Sequence, residues 1–215
     1  MEDTKKINRI VIFTLESFYS SHAISRLVEH YKGRVVLICA SQRFGGKYGT
    51  FFQQFRTNLR RSGFTFVNYV SFHLIYYKPF LYISDFINII LGREKKVYTL
   101  RQLSNKYSIP LIKTREVKAD ETVEAIRKAQ PDLIISAYFD HKINKKIIDL
   151  SKYGIINIHT ALLPEYRGPF PTLWPVLCNS EVCGVTIHYV NEKFDEGDIL
   201  IRKQMPLEKK ESILA

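Results

Sequence analysis

Glu121-Thr-Val-Glu-Ala-Ile-Arg-Lys128 is followed by Ala-Gln-Pro131 and then by Leu133-Ile-Ile135, and that order sets the fold class. Val123 and Ile126 stand three apart on one side of a helical pattern with charges on the other, so the segment reads as an amphipathic helix. Pro131 cannot continue it. The apolar run beginning at Leu133 does not alternate with polar residues, which suits a strand buried on both faces. A helix feeding such a strand is half of a β-α-β unit. Outward from this point, residues 10–13, 35–38 and 155–158 are similar short, largely β-branched runs separated by longer stretches of helical character. Residues 184–190 and 199–203 read as two further strands near one edge.

The expected fold is therefore α/β: a Rossmann-like, mostly parallel twisted sheet of about seven strands with helices on both faces. With 215 residues and 46% hydrophobic composition, the chain can bury one substantial core, and one domain over 1–215 is expected. Residues 211–215 begin to read as a helix where the sequence stops, so the expectation is either a truncated C-terminus or a minimal protein. The formal charge of +11 sits in clusters such as Lys5-Lys6, Arg60-Arg61, Arg93 to Lys96, Lys145-Lys146 and Lys209-Lys210. That balance favours anionic partners: an acidic cofactor, a phosphorylated or nucleotide-linked substrate, a tRNA or an acidic membrane surface. For any single cluster, a solvated basic surface is an equally good explanation. Cys39, Cys178 and Cys183 form no CxxC pair, and the N-terminus lacks the apolar core of a signal peptide. Reduced thiols in a cytoplasmic protein are expected.

The turn after the first strand, Thr14 to Ser21, has no glycine, so backbone amides have no open approach to a dinucleotide pyrophosphate. Gly45-Gly46 and Gly49 lack the ending of a P-loop and read as a loop before a helix at residues 51–61. Residues 64–91 are crowded with Phe, Tyr, Ile and Leu, but Asn68, His73, Lys78, Pro79, Asp85 and Asn88 interrupt them, which argues against a transmembrane helix. Helices packed under the sheet or against a partner subunit are the preferred reading. An interfacial membrane contact stays open because basic residues flank both sides.

The chemistry is concentrated in Asn157-Ile-His159, then Leu162-Leu-Pro-Glu-Tyr-Arg-Gly168, then Gly184-Val-Thr-Ile-His188, then Asp195-Glu-Gly-Asp198. Asn157 and His159 are two apart on one strand and share a face where that strand meets its loop. This string resembles the formyltransferase family, which includes methionyl-tRNA formyltransferase, glycinamide ribonucleotide transformylase, sugar N-formyltransferases and formyltetrahydrofolate deformylase. The close resemblance covers residues 131–206. It implies an enzyme that moves a formyl group from 10-formyltetrahydrofolate to an amine without a metal, and it implies roles for the residues. Asn157 would donate to the formyl oxygen as charge develops there. His159 would serve as oxyanion donor or proton carrier, and Asp195 would orient the imidazole and favour its charged form. Gly197 would supply a backbone conformation that side chains obstruct.

By the same resemblance the folate would bind beside Ala137, Tyr138, Phe139, Lys142, Ile143 and Gly197, with the two aromatics packing on the pterin and Lys142 meeting a glutamate tail. Arg167 and Gly168 would hold their loop or contact an anionic substrate. Asp198 reads as a structural acid, Trp174 as a core residue and His141 as a surface residue. The chain departs from the family pattern at Asp140-His141 and at Thr160-Ala161, where a hydroxyl is missing from position 161. The glycine-rich phosphate loop after strand one is also missing, which argues against the purine-pathway substrate. The expected acceptor is an amine on an anionic small molecule, a nucleotide-linked amino sugar first. Methionyl-tRNA, hydrolysis of 10-formyltetrahydrofolate and a non-catalytic scaffold remain as alternatives.

Overall fold

The computed structural model describes residues 7–42, 50, 52–53, 55–57, 59–60, 64, 67, 71, 76–95 and 97–207. Its centre is a seven-stranded sheet formed by β1 (Ile10–Leu15), β2 (Val35–Ser41), β3 (Leu111–Thr114), β4 (Leu133–Ala137), β5 (Ile155–His159), β6 (Val182–Tyr189) and β7 (Ile199–Pro206). The spatial order is β3-β2-β1-β4-β5-β6-β7. The first five strands are parallel, while β6 and β7 are antiparallel to their neighbours. The order reverses between β1 and β4, which creates the crevice at the carboxyl ends of strands where open α/β sheets bind ligands.

Side chains alternate across the strands and build two apolar layers. On one face Ile10, Ile12, Ile38, Leu133 and Ile135 pack with Ile24 and Val28 of α1 (Phe18–His30) and with Leu100 and Leu103 of α3 (Leu100–Tyr107). On the other, Val11, Phe13, Ile134 and Ile155 pack with Val123 and Ile126 of α4 (Asp120–Ala129) and with Ile147 of α5 (Lys145–Ile148). Helices thus cover both faces, as the apolar patterning requires. Local chemistry fixes the helix ends: Ser17 and Ser20 form a reciprocal capping box on α1, as Thr99 and Gln102 do on α3. In α4, Asp120 and Glu121 face the positive end of the helix dipole and Arg127 and Lys128 the negative end.

Strand β3 has no counterpart in the sequence reading; at four residues with one exposed lysine, its pattern is too short to stand out. The helix expected over residues 51–61 is helical at its described positions, whereas Gly45, Gly46, Gly49 and residues 211–215 lie outside the described residues. Of the preferred reading of residues 64–91, packing under the sheet holds at the described positions for one side of the helix only. Helix α2 (Tyr77–Ile90) buries Tyr77 and Leu81 but turns Phe80, Ile83, Phe86 and Ile90 outward. Among the described residues no helix is long and apolar enough to cross a membrane.

Candidate active site

Strands β4, β5 and β6 carry Ser136, Asn157 and His188 at the same register level, so the three form a row across one face of the sheet. His159 and Thr186 form the next matched pair on β5 and β6. The loop after β6 folds back over this face and brings Asp195 to the two imidazoles. Asp195 Oδ1 lies 3.7 Å from His159 Nδ1 and 3.6 Å from His188 Nε2, and its Oδ2 accepts the Gly168 N–H at 2.8 Å. His159 and His188 are both buried, at 5% and 1% exposure, which removes the water that would otherwise compete for these contacts. The sequence reading brought Asn157, His159 and Asp195 together and left out His188.

Hydrogen bonds fix the orientation of the group. His159 Nε2 donates to the Tyr166 carbonyl at 2.7 Å, so the nitrogen that faces Asp195 is Nδ1. His188 Nδ1 donates to the Tyr189 carbonyl at 2.8 Å; a neutral ring then presents the Nε2 lone pair to the Asn157 amide nitrogen, 3.2 Å away. In that state of the ring the Asn157 amide nitrogen keeps its second hydrogen available to a ligand oxygen. Burial alone pushes the Asp195 carboxyl up. The His188 ring, the Gly168 amide and the charge that either imidazole can carry outweigh it and hold the group below the ordinary carboxylate range. Deeper still, Thr186 accepts the Leu163 N–H and donates to the Ala161 carbonyl, which pins the segment that follows His159.

A cleft beside this cluster, about 440 Å³ including its open mouth, is lined by Phe139, Lys142, Ile143, Asn157, His188, Val190, Phe194 and Asp195 among others. Of the residues expected to hold a folate, Phe139, Lys142 and Ile143 line it. Ala137 is buried in the layer on the opposite face of the sheet, and Tyr138 packs against that same layer. Tyr138 takes a left-handed conformation (φ 58°), and burial pushes its phenol up, with Tyr19 nearby adding to the shift. Lys142 is exposed and reaches 5.9 Å from the Phe194 ring.

Several expectations need correction. His141 is buried rather than on the surface, packing against the Phe139 ring and lining the same cleft. Trp174 is 44% exposed rather than in the core, with its indole N–H donated to the Pro169 carbonyl. At Gly197 a side chain would indeed obstruct the backbone, since a Cβ there would come within 1.7 Å of the Tyr189 carbonyl oxygen. Arg167 pairs with Glu196 at 3.3 Å and the Gly168 amide is held by Asp195, so both residues tie the loop after β5 to the loop after β6.

An open α/β sheet with an Asn, two His and an Asp gathered over one face of its later strands defines the class. The chain belongs to the formyl transferase family, whose pattern it matches over residues 88–214. It is 37% identical over 125 residues to the methionyl-tRNA formyltransferase of Bacillus cytotoxicus, covering 57% of this chain and 40% of that protein. It is 34% identical over 121 residues to the methionyl-tRNA formyltransferase of Geotalea uraniireducens, covering 56% and 39%. The match thus spans about two fifths of the length of these curated relatives. Among solved structures, the phosphoribosylglycinamide formyltransferase from Anaplasma phagocytophilum superposes with a TM-score of 0.61 at 14% identity, covering 96% of this chain and 76% of that one. The enzyme of the same name from Bacillus halodurans gives 0.58 at 18% identity, with 95% and 82% covered. At these identities the structures show the shared fold alone.

Proposed function

We propose that this chain transfers a formyl group from 10-formyltetrahydrofolate to an amine, with Asn157, His159 and Asp195 as the reacting group and His188 positioning Asn157. One observation carries the reading: Asp195 Oδ1 lies within 3.7 Å of His159 Nδ1 while the Asn157 amide stands beside the same cluster. 10-Formyltetrahydrofolate would supply a formyl carbon attached to a nitrogen that can leave. The cleft suits such a donor, because Phe139, Ile143, Val190 and Phe194 offer an apolar wall to a flat ring and exposed Lys142 offers a cation to carboxylates.

In this reading the free N–H of Asn157 donates to the formyl oxygen, and the bond strengthens as that oxygen gains negative charge. The acceptor nitrogen bonds to the formyl carbon, the carbon–nitrogen bond to the donor breaks, and one proton passes from the acceptor nitrogen to the departing one. His159 Nδ1 is the carrier for that proton, since Nε2 is committed to Tyr166, and Asp195 stabilises the imidazolium while it lasts.

The acceptor is an amine on an anionic molecule, a nucleotide-linked amino sugar first and methionyl-tRNA second; the names of the curated relatives favour the second. At the turn after β1, Glu16 pairs with Lys78 at 2.7 Å and accepts the Leu100 N–H, so the first amide of α3 is taken by this side chain and not offered to an anion. The test is binding of 5-formyltetrahydrofolate to the purified chain and to His159→Ala, followed by donor consumption with each acceptor class. Retained binding with lost turnover in the variant supports the proposal. No folate affinity would favour a scaffold, and turnover without any amine would favour a hydrolase.

A further inference from the structure

Helix α2 is inside out. Its polar residues Ser84, Asp85 and Asn88 are half-buried and lie on the same side as buried Tyr77 and Leu81, while Phe80, Tyr82, Ile83, Phe86, Ile87 and Ile90 are between 48% and 67% exposed. At 3.6 residues per turn these six apolar side chains cover an arc of about 160°. The inward side is anchored by buried Tyr77 and Leu81, by Lys78 paired with Glu16 and by Asp85 paired with Lys95, while Phe80, at one end of the outward arc, meets Phe18 edge to face. Solvent exposure of six large apolar side chains on one firmly held helix marks a binding surface.

We infer that this face of α2 docks on a lipid surface bearing acidic headgroups. The width of the arc favours a planar apolar layer over a single partner helix, whose seam would use only every third and fourth residue, such as Ile83, Phe86 and Ile90, and leave Phe80 and Tyr82 at the two ends of the arc in water. Charge selects the same occupant. Arg60 and Arg93 are exposed on the flanks of the segment, the one acid on the helix is neutralised by Lys95, and the whole chain carries +11. A second copy of the chain would bring another +11 against it, whereas acidic headgroups would be attracted. The helix has 14 residues, too few to span a bilayer but enough to lie in its surface. Through Glu16 and Phe18 it is attached to the turn at the carboxyl end of β1, so docking would hold that end of the sheet beside the headgroups.

Co-sedimentation of the full chain with phosphatidylglycerol–phosphatidylcholine vesicles tests the inference, with phosphatidylcholine vesicles and raised salt as comparisons. The parent chain is expected to bind the acidic vesicles and to be released by salt. The combined substitution Ile83→Glu, Phe86→Glu and Ile90→Glu should lower partition at least about tenfold. All three positions are 60% exposed or more, so thermal unfolding should be unchanged and loss of binding would not reflect loss of fold. Failure of the parent chain to bind acidic vesicles would overturn the inference. So would equal partition of the folded triple variant, or concentration-dependent self-association of the parent that the substitutions abolish.

Discussion

Asp195→Asn keeps the size of the side chain and removes its charge, and the distances set the expected loss. A unit charge on the carboxylate and one on His159 Nδ1, 3.7 Å apart, attract by about 4.5 kcal/mol at an effective dielectric of about 20. If the imidazolium forms in the transition state, losing all of that attraction slows the reaction about a thousandfold. A carboxamide dipole retains part of it, so kcat should fall by between about a hundred- and a thousandfold. The same substitution changes stability against pH with a definite sign. The Asp195 carboxyl is held below its ordinary value, so its contribution is present above about pH 4 and is lost as pH falls through the lower folded value. The Asn variant should lack that acid-dependent component. Donor consumption under saturating amine measures the first effect, and denaturant unfolding between pH 2 and 6 measures the second. A rate loss below about tenfold, with 5-formyltetrahydrofolate still bound, would refute the role assigned to this carboxylate.

The other predictions address the surrounding shell. His188→Phe removes the acceptor that orients Asn157, and kcat should drop about 10- to 100-fold while folate affinity changes little; an equal loss of both would mean that the ring only supports the cleft. Thr186→Val takes away the hydroxyl that joins Leu163 and Ala161 and leaves a buried N–H unsatisfied; urea unfolding should show a loss of about 1–3 kcal/mol. Gly197→Ala drives a methyl into the Tyr189 carbonyl, so it should destabilise the fold by about 1–3 kcal/mol or more and lower activity by displacing Asp195, two residues away. Phe13→Ala, under the sheet and against Phe139, should cost about 3–5 kcal/mol and weaken folate binding through the loss of packing behind the cleft.

The central strands were legible because burial on both faces favours β-branched runs, which β1, β2 and β4 carry and β5 carries around Asn157. Asn157 and His159 were singled out by the resemblance of the whole string to the family, because an Asn-x-His pair at a strand end is weak evidence by itself. His188 was not. In β6 the buried positions are Gly184, Thr186 and His188, while Val185 and Ile187 between them are only partly covered, so the hydrophobic alternation points to the wrong face. Helix α2 inverts its pattern in the same way, with Ser84, Asp85 and Asn88 turned inward and its aromatics turned out. Hydrophobic periodicity assumes that water lies on one side and the core on the other. It fails in β6, where the inward side holds Thr186 and His188, and in α2, where the apolar side chains face outward. In the proposed readings the two inversions are independent, one belonging to the reacting group and the other to the docking face. Substitution in one should leave the other's measurement untouched: the triple α2 variant should turn over soluble substrate at the parent rate, and Asp195→Asn should partition to vesicles as the parent does.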